Sequence, residues 1–256
     1  MKNPLSFIPE RPAKPRNSGL TMVMDKGLSS REAEDFMSVG GEYTDYVKLG
    51  FGTSLITPGV EKKIEIYKKA GTIPYFGGTL FEAFIIRNMF DAFVELLDRC
   101  NIDLVEVSDG SYDFDRNKKL EYIGKLAKKR TVISEVGSKK KGVVFSPDQW
   151  VAMMKAELDA GSVKVIAEAR ESGTTGIYNE DGSVNNTIIC AISDNVKFEN
   201  VIWEAPLKSQ QAWFIKSFGA NVNLGNIPPN EIIPLESLRL GLRGDTFFQF
   251  LPENLK

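Results

Sequence analysis

Eight short apolar runs recur along this chain, with longer segments of helical period among them, and this alternation constrains the fold more than any other feature. The runs are residues 19–25, 44–49, 72–76, 102–107, 131–136, 163–168, 200–204 and 219–224. Helical spacing appears at 29–39, 58–70, 79–100, 115–129, 146–160, 207–217 and 231–241. Several of these segments open with Ser or Pro, Ser146-Pro147 being an example, as helix N-termini do. Strand and helix in alternation build a parallel sheet through crossover helices. Eight repeats are the barrel number, so the pattern predicts an α/β fold, a single (β/α)8 TIM barrel. An open doubly wound sheet shares the alternation. Its dinucleotide-binding form has no anchor here, because no GxGxxG follows the first run.

With 256 residues, 42% of them hydrophobic, the chain is long enough for one large core, and residues 1–256 are expected to form one domain. Residues 1–18 read as an N-terminal extension. Residues 171–187, ESGTTGIYNEDGSVNNT, break the rhythm with turn formers and an Asp181-Gly182 hairpin tip; lying after the sixth strand, they are expected to form a lid.

Thirty-two basic against 34 acidic residues leave a net charge of −2, so no global field recruits nucleic acid or an anionic membrane. The N-terminus carries only a three-residue apolar patch and no 18-residue apolar run occurs, from which a soluble, cytoplasmic chain is expected. Cys100 and Cys190, far apart, read as reduced thiols. The chain contains no histidine. That excludes Ser-His-Asp and Cys-His catalysis and histidine-bound zinc, and leaves chemistry to Asp, Glu, Lys, Arg, Tyr or a hard metal.

In a barrel the C-terminal strand ends carry the chemistry, and here they are loaded with charge. Lys48 precedes GFGTS; Glu106, Glu135, Glu168 and Glu204 end strands four to seven; Arg170 and Lys208 follow strands six and seven. Any one of these is often a solvated rim residue, but charges embedded in apolar strands are costly unless paired or metal-bound, and their repetition points to a polar site at one mouth. The Lys139–Lys141 run, taken alone, reads as solvated surface. The segment NLGNIPP, with Asn223, Gly225 and Asn226, lies where barrels often hold a phosphate, and is expected to bind one. A Schiff-base aldolase would want a lysine within a strand, and only Lys48 and Lys164 qualify, the latter at a strand beginning.

Taken together, GLTMVMDKG, KLGFGTS, GGTLFE, EVSDG, SEVG, EARESG, WEAP, QQAWFI, FGANVNLGNI and LRLGLRGDT, spread over residues 19–246, resemble the phosphosulfolactate synthase family. The resemblance implies a TIM barrel that adds sulfite to phosphoenolpyruvate with magnesium, to give (2R)-phospho-3-sulfolactate for coenzyme M biosynthesis. The same family resembles a plant heat-stress-associated protein, so a non-catalytic or repurposed stress-tolerance barrel is the alternative. For the lyase reaction, Glu106, Glu135, Glu168 and Glu204 are the expected ligands of Mg2+ or a similar divalent cation, with Asp25 and Asp109 behind them. Lys48, Arg170 and Lys208 are expected to offset phosphate and sulfite charge, and Lys139 to protonate C2. The expected partners are small anions, with assembly into a homo-oligomer left open.

Overall fold

The computed structural model describes residues 4–112, 114–138, 143–170 and 172–256. Eight parallel strands are present: β1 Thr21–Asp25, β2 Tyr46–Leu49, β3 Ile73–Phe76, β4 Leu104–Val107, β5 Thr131–Val136, β6 Lys164–Ala167, β7 Val201–Glu204 and β8 Leu224–Ile227. They hydrogen-bond in the order β3-β2-β1-β8-β7-β6-β5-β4, and β4 lies beside β3, so the sheet curls into a nearly closed barrel. The helices are α1 Ser30–Gly40, α2 Val60–Lys69, α3 Gly78–Ile85, α4 Phe90–Arg99, α5 Arg116–Ala127, α6 Pro147–Asp159, α7 Asn186–Asn195, α8 Lys208–Phe218 and α9 Ile232–Arg239.

Local chemistry explains the boundaries. Ser29 and Glu32 form a reciprocal capping box on α1, and Ser146 with Gln149 does the same on α6, where Pro147 occupies the first turn. The single helix expected over 79–100 is two, broken at residues 86–89, where Asn88 turns left-handed with φ 55°. The eighth strand is also displaced. It runs over Leu224–Ile227 rather than 219–224, because residues 219–223 form the turn that leads into it.

Strand alternation sorts side chains inward and outward. Outward residues such as Val47, Val105 and Trp203 pack beneath the helices, with Trp203 stacked on Phe214 and Phe218 of α8. Inward, Leu20, Met22, Tyr75, Leu104, Ile133, Ile166 and Ile202 fill the barrel. Two residues further along β2, β4, β5 and β7 the inward positions are Lys48, Glu106, Glu135 and Glu204, and Glu168 takes the same place immediately after β6. An apolar floor therefore carries a charged layer at the C-terminal mouth.

The N-terminal extension straps the opposite mouth. Arg11 pairs with Glu236 of α9 at 2.8 Å and donates to Asn221 and to the carbonyls of Ala220 (3.2 Å) and Gly19 (2.9 Å). Arg16 pairs with Asp45 at 3.0 Å. Beneath them Arg239 is fully buried; burial and the neighbouring Arg11 push its pKa down to about 9 despite Glu236. Removing one partner of a buried pair strands the other. Arg11→Ala is therefore expected to lower unfolding stability by about 2–4 kcal/mol, read by urea denaturation. A loss within about 0.5 kcal/mol, the range of ordinary surface changes, would show that the strap is not an integral part of the barrel.

Candidate active site

A cavity of about 470 Å3 opens at the C-terminal mouth, lined among others by Met24, Lys48, Glu135, Glu168, Arg170 and Glu204. Its charged floor follows from the alternation described above. Each Glu stands two residues beyond an inward aliphatic of the same strand, Leu104, Ile133, Ile166 or Ile202, and so clears the packed interior and faces the mouth.

Lys48 holds this layer together. Its ammonium lies 3.0 Å from Glu106 Oε1, 3.1 Å from Glu135 Oε2 and 3.5 Å from Glu204 Oε1, and the residue is only 5% exposed. Burial disfavours the charge, yet the three carboxylates outweigh burial and hold the Lys48 pKa well above its ordinary value. Magnitudes agree with that sign: unlike charges about 4 Å apart attract by about 4 kcal/mol at an effective dielectric of about 20, against a burial penalty of several kcal/mol per ion. Lys48 is thus a fixed cation. It is neither a neutral amine for Schiff-base chemistry nor a ready proton donor. Tyr75, wholly buried below it, has its pKa raised by burial and by Glu106.

The carboxylates divide by surroundings. Glu106 Oε1 also accepts the Gly78 amide at 2.6 Å, at the head of α3. Glu135, Glu168 and Glu204 each offer an oxygen within 4.8 Å of the others, all three buried. Three hard oxygens converging at the mouth match the donor set of Mg2+ or Mn2+, which take carboxylates and retain waters. The residues present therefore fit a divalent cation at Glu135, Glu168 and Glu204, with Glu106 outside that group.

Several remaining expectations need revision. Asn223, displaced with its strand, sits at the N-terminal rim, where its side chain accepts from Leu20 N (2.9 Å) and donates to the Asn17, Glu199 and Val201 carbonyls; it cannot reach phosphate at the mouth. Gly225 is a packing position, since a Cβ there would meet Met22 Cε at 2.6 Å. Lys208 does not line the cavity and pairs with Asp245 at 2.9 Å on the surface. Asp25 is consumed by structure, bonded to Lys63, Tyr67 and the amides of Gly27 and Leu28, all at 2.8 Å. Asp109 pairs with Lys119 at 2.6 Å.

Arg170 and Asn226 do line the cavity, both with left-handed backbones, φ 49° and 56°. Asn226 is 7% exposed and its Oδ1 is buried, with no hydrogen-bond partner among the described residues. Lys139 lies outside the described residues. The segment expected to be a lid is anchored through its centre. Ile177 and Tyr178 are buried, Tyr178 donates to the Glu204 carbonyl at 2.6 Å, and Gln210 donates to the carbonyls of Gly173 and Gly182. Ser172 faces the cavity, as does Ser111 on the β4–α5 loop, whose amide is held by Glu82 at 2.7 Å. Nothing in the sequence marked these serines.

Comparison with known proteins converges on one family. The family model described as (2R)-phospho-3-sulfolactate synthase matches residues 9–245. Phosphosulfolactate synthase of Methanocaldococcus jannaschii is 43% identical over 236 residues, 90% of this chain and 94% of its own length. That of Methanothermobacter thermautotrophicus is 38% identical, covering 95% and 97%. Protein HEAT-STRESS-ASSOCIATED 32 of Arabidopsis thaliana is 23% identical, covering 90% and 88%. Among solved structures, 3-hexulose-6-phosphate synthase from Salmonella typhimurium superposes with a TM-score of 0.55 at 16% identity, over 88% of this chain and all of that one, a likeness of fold alone. The chain belongs to the (2R)-phospho-3-sulfolactate synthase family, whose named members are lyase-type enzymes.

Proposed function

We propose that this chain adds sulfite to phosphoenolpyruvate to give (2R)-phospho-3-sulfolactate, with a divalent cation held by Glu135, Glu168 and Glu204. The observation that carries the reading is the convergence of those three buried carboxylates beside Lys48, in a chain 43% identical to a phosphosulfolactate synthase.

The chemistry asks for charge management rather than base catalysis. Sulfite is already a nucleophile; its sulfur lone pair forms the C–S bond at C3, and the C2–C3 π pair moves onto C2 and into the substrate carboxylate. C2 then takes a proton. A bound divalent cation supplies electrostatic stabilisation of that carboxylate charge. Arg170 binds substrate phosphate or sulfite from the cavity wall, and the Asn226 amide orients the substrate from β8. Lys48 remains with Glu106 as a fixed positive charge beneath the anions. Lys139, a lysine placed by sequence just after β5, is the proposed donor to C2. Three buried carboxylates held together speak against a barrel that has lost its site altogether, given what burying them costs.

Ultraviolet absorbance of phosphoenolpyruvate is expected to fall only when protein, sulfite and magnesium are all present; no loss with folded protein under any metal condition would favour the non-catalytic reading. Glu168→Gln is expected to lower kcat/KM by at least about 100-fold, as removing several kcal/mol of charge stabilisation implies. Arg170→Ala removes a charged hydrogen bond worth about 1.5–3 kcal/mol, so KM for phosphoenolpyruvate should rise by about 10- to 100-fold. An unchanged KM would place the phosphate elsewhere.

A further inference from the structure

Behind the mouth lies a second buried charge cluster that the proposed chemistry does not touch. Lys119, on α5, is completely buried. Its ammonium meets Asp109 Oδ1 at 2.6 Å, Glu157 Oε1 at 2.9 Å and the main-chain carbonyl of Glu135 at 2.7 Å. Three donors thus find three acceptors, the full capacity of a lysine. Arg116 joins from the rim, 2.8 Å from Glu157. Burial opposes the charge on Lys119, but Glu157 and Asp109 outweigh it and raise its pKa above the ordinary value.

The three acceptors sit where the mouth is built. Glu135 belongs to the carboxylate group, and its carbonyl lies one residue before the end of β5, where the Val136 carbonyl accepts the Glu168 amide at 3.0 Å. Glu157 lies on α6, at the far side of the β5–α6 connection. Asp109 opens the β4–α5 loop, whose Ser111 lines the cavity. One ammonium therefore ties β5 to α6 and to the β4 loop. Gly137 presses from the other side: with φ 148°, a Cβ on it would meet Glu168 Cβ at 2.3 Å, so only glycine lets this backbone close on the second carboxylate strand. The end of β5 is held between Lys119 outside and Glu168 inside.

We infer that Lys119 is a positioning residue of the active site, fixing the Glu135 peptide and the Asp109 loop so that the Glu135 carboxylate meets Glu168 and Glu204 in cation-binding geometry. The role rests on the metal centre proposed above. Groups that orient metal-binding side chains typically cost about 10- to 100-fold in affinity or activity when lost, whereas a purely structural buried lysine changes stability alone. Lys63 provides the matched comparison. It is equally buried, 2.8 Å from both Asp25 and the Leu28 carbonyl, and touches neither the carboxylate group nor its loops.

The test is manganese affinity of the full chain without substrates, by isothermal titration calorimetry, for wild type, Lys119→Met, Lys119→Arg and Lys63→Met, alongside thermal unfolding. Lys119→Met should weaken manganese binding by about 10-fold or more, Lys119→Arg should restore part of it, and Lys63→Met should unfold at lower temperature with affinity unchanged. Should Lys119→Met not fold, Glu157→Gln, which keeps the ammonium and its bond to Glu135, is expected to weaken binding severalfold. Manganese affinity within twofold of wild type in the folded Lys119 or Glu157 variant would overturn the role while leaving the metal centre standing. No manganese binding by the wild-type chain would overturn the metal centre and this role together.

Discussion

One ammonium among carboxylates organises this barrel's mouth. Lys48 reaches Glu106, Glu135 and Glu204, side chains from three different strands, and none of these buried acids would be tolerated ionised without a cation near it. Lys48 bonds three of the four carboxylates of this layer, so the arrangement of the mouth turns on its ammonium. Stability and function pull against each other here, as they often do at functional sites. The mouth retains acids that a purely structural barrel would replace with aliphatic residues, and the floor of Leu104, Ile133, Ile166 and Ile202 beneath offsets their cost by ordinary apolar packing.

Much of this was legible in sequence because strand periodicity is strict. An inward aliphatic followed two residues later by Glu occurs in four consecutive strands, and that spacing alone places all four carboxylates on one layer. The division of labour within the layer was not legible. That Glu106 is partly taken by the amide of Gly78 depends on the start of α3, and that Asp25 is saturated depends on Lys63 and Tyr67 from α2. These are tertiary facts with no local signature.

The failures have similar causes. The run GANVNL carries apolar residues at strand spacing, whereas the true β8, LGNI, contains a glycine and a left-handed asparagine that argue against a strand. The shift moved Asn223 from the expected phosphate loop to the far rim and left Asn226 at the mouth. Lys119 follows Lys118 in a helix, a pattern that ordinarily denotes a solvated face. The strap from Arg11 to Arg16 has no periodicity at all, and its charged partners, Asp45 and Glu236, lie more than 20 residues away in sequence or at the far end of the chain.

The central claim is that Glu135, Glu168 and Glu204 form a divalent cation centre at the barrel's C-terminal mouth. The direct measurement is a crystal structure of the chain grown with manganese, with the ion located by its anomalous scattering. The account predicts one strong peak within about 2.0–2.3 Å of oxygens from these three residues, the spacing of hard cations on carboxylates, with Lys48 still paired to Glu106. A peak only elsewhere, or an intact carboxylate cluster with no ion at saturating manganese, would contradict it.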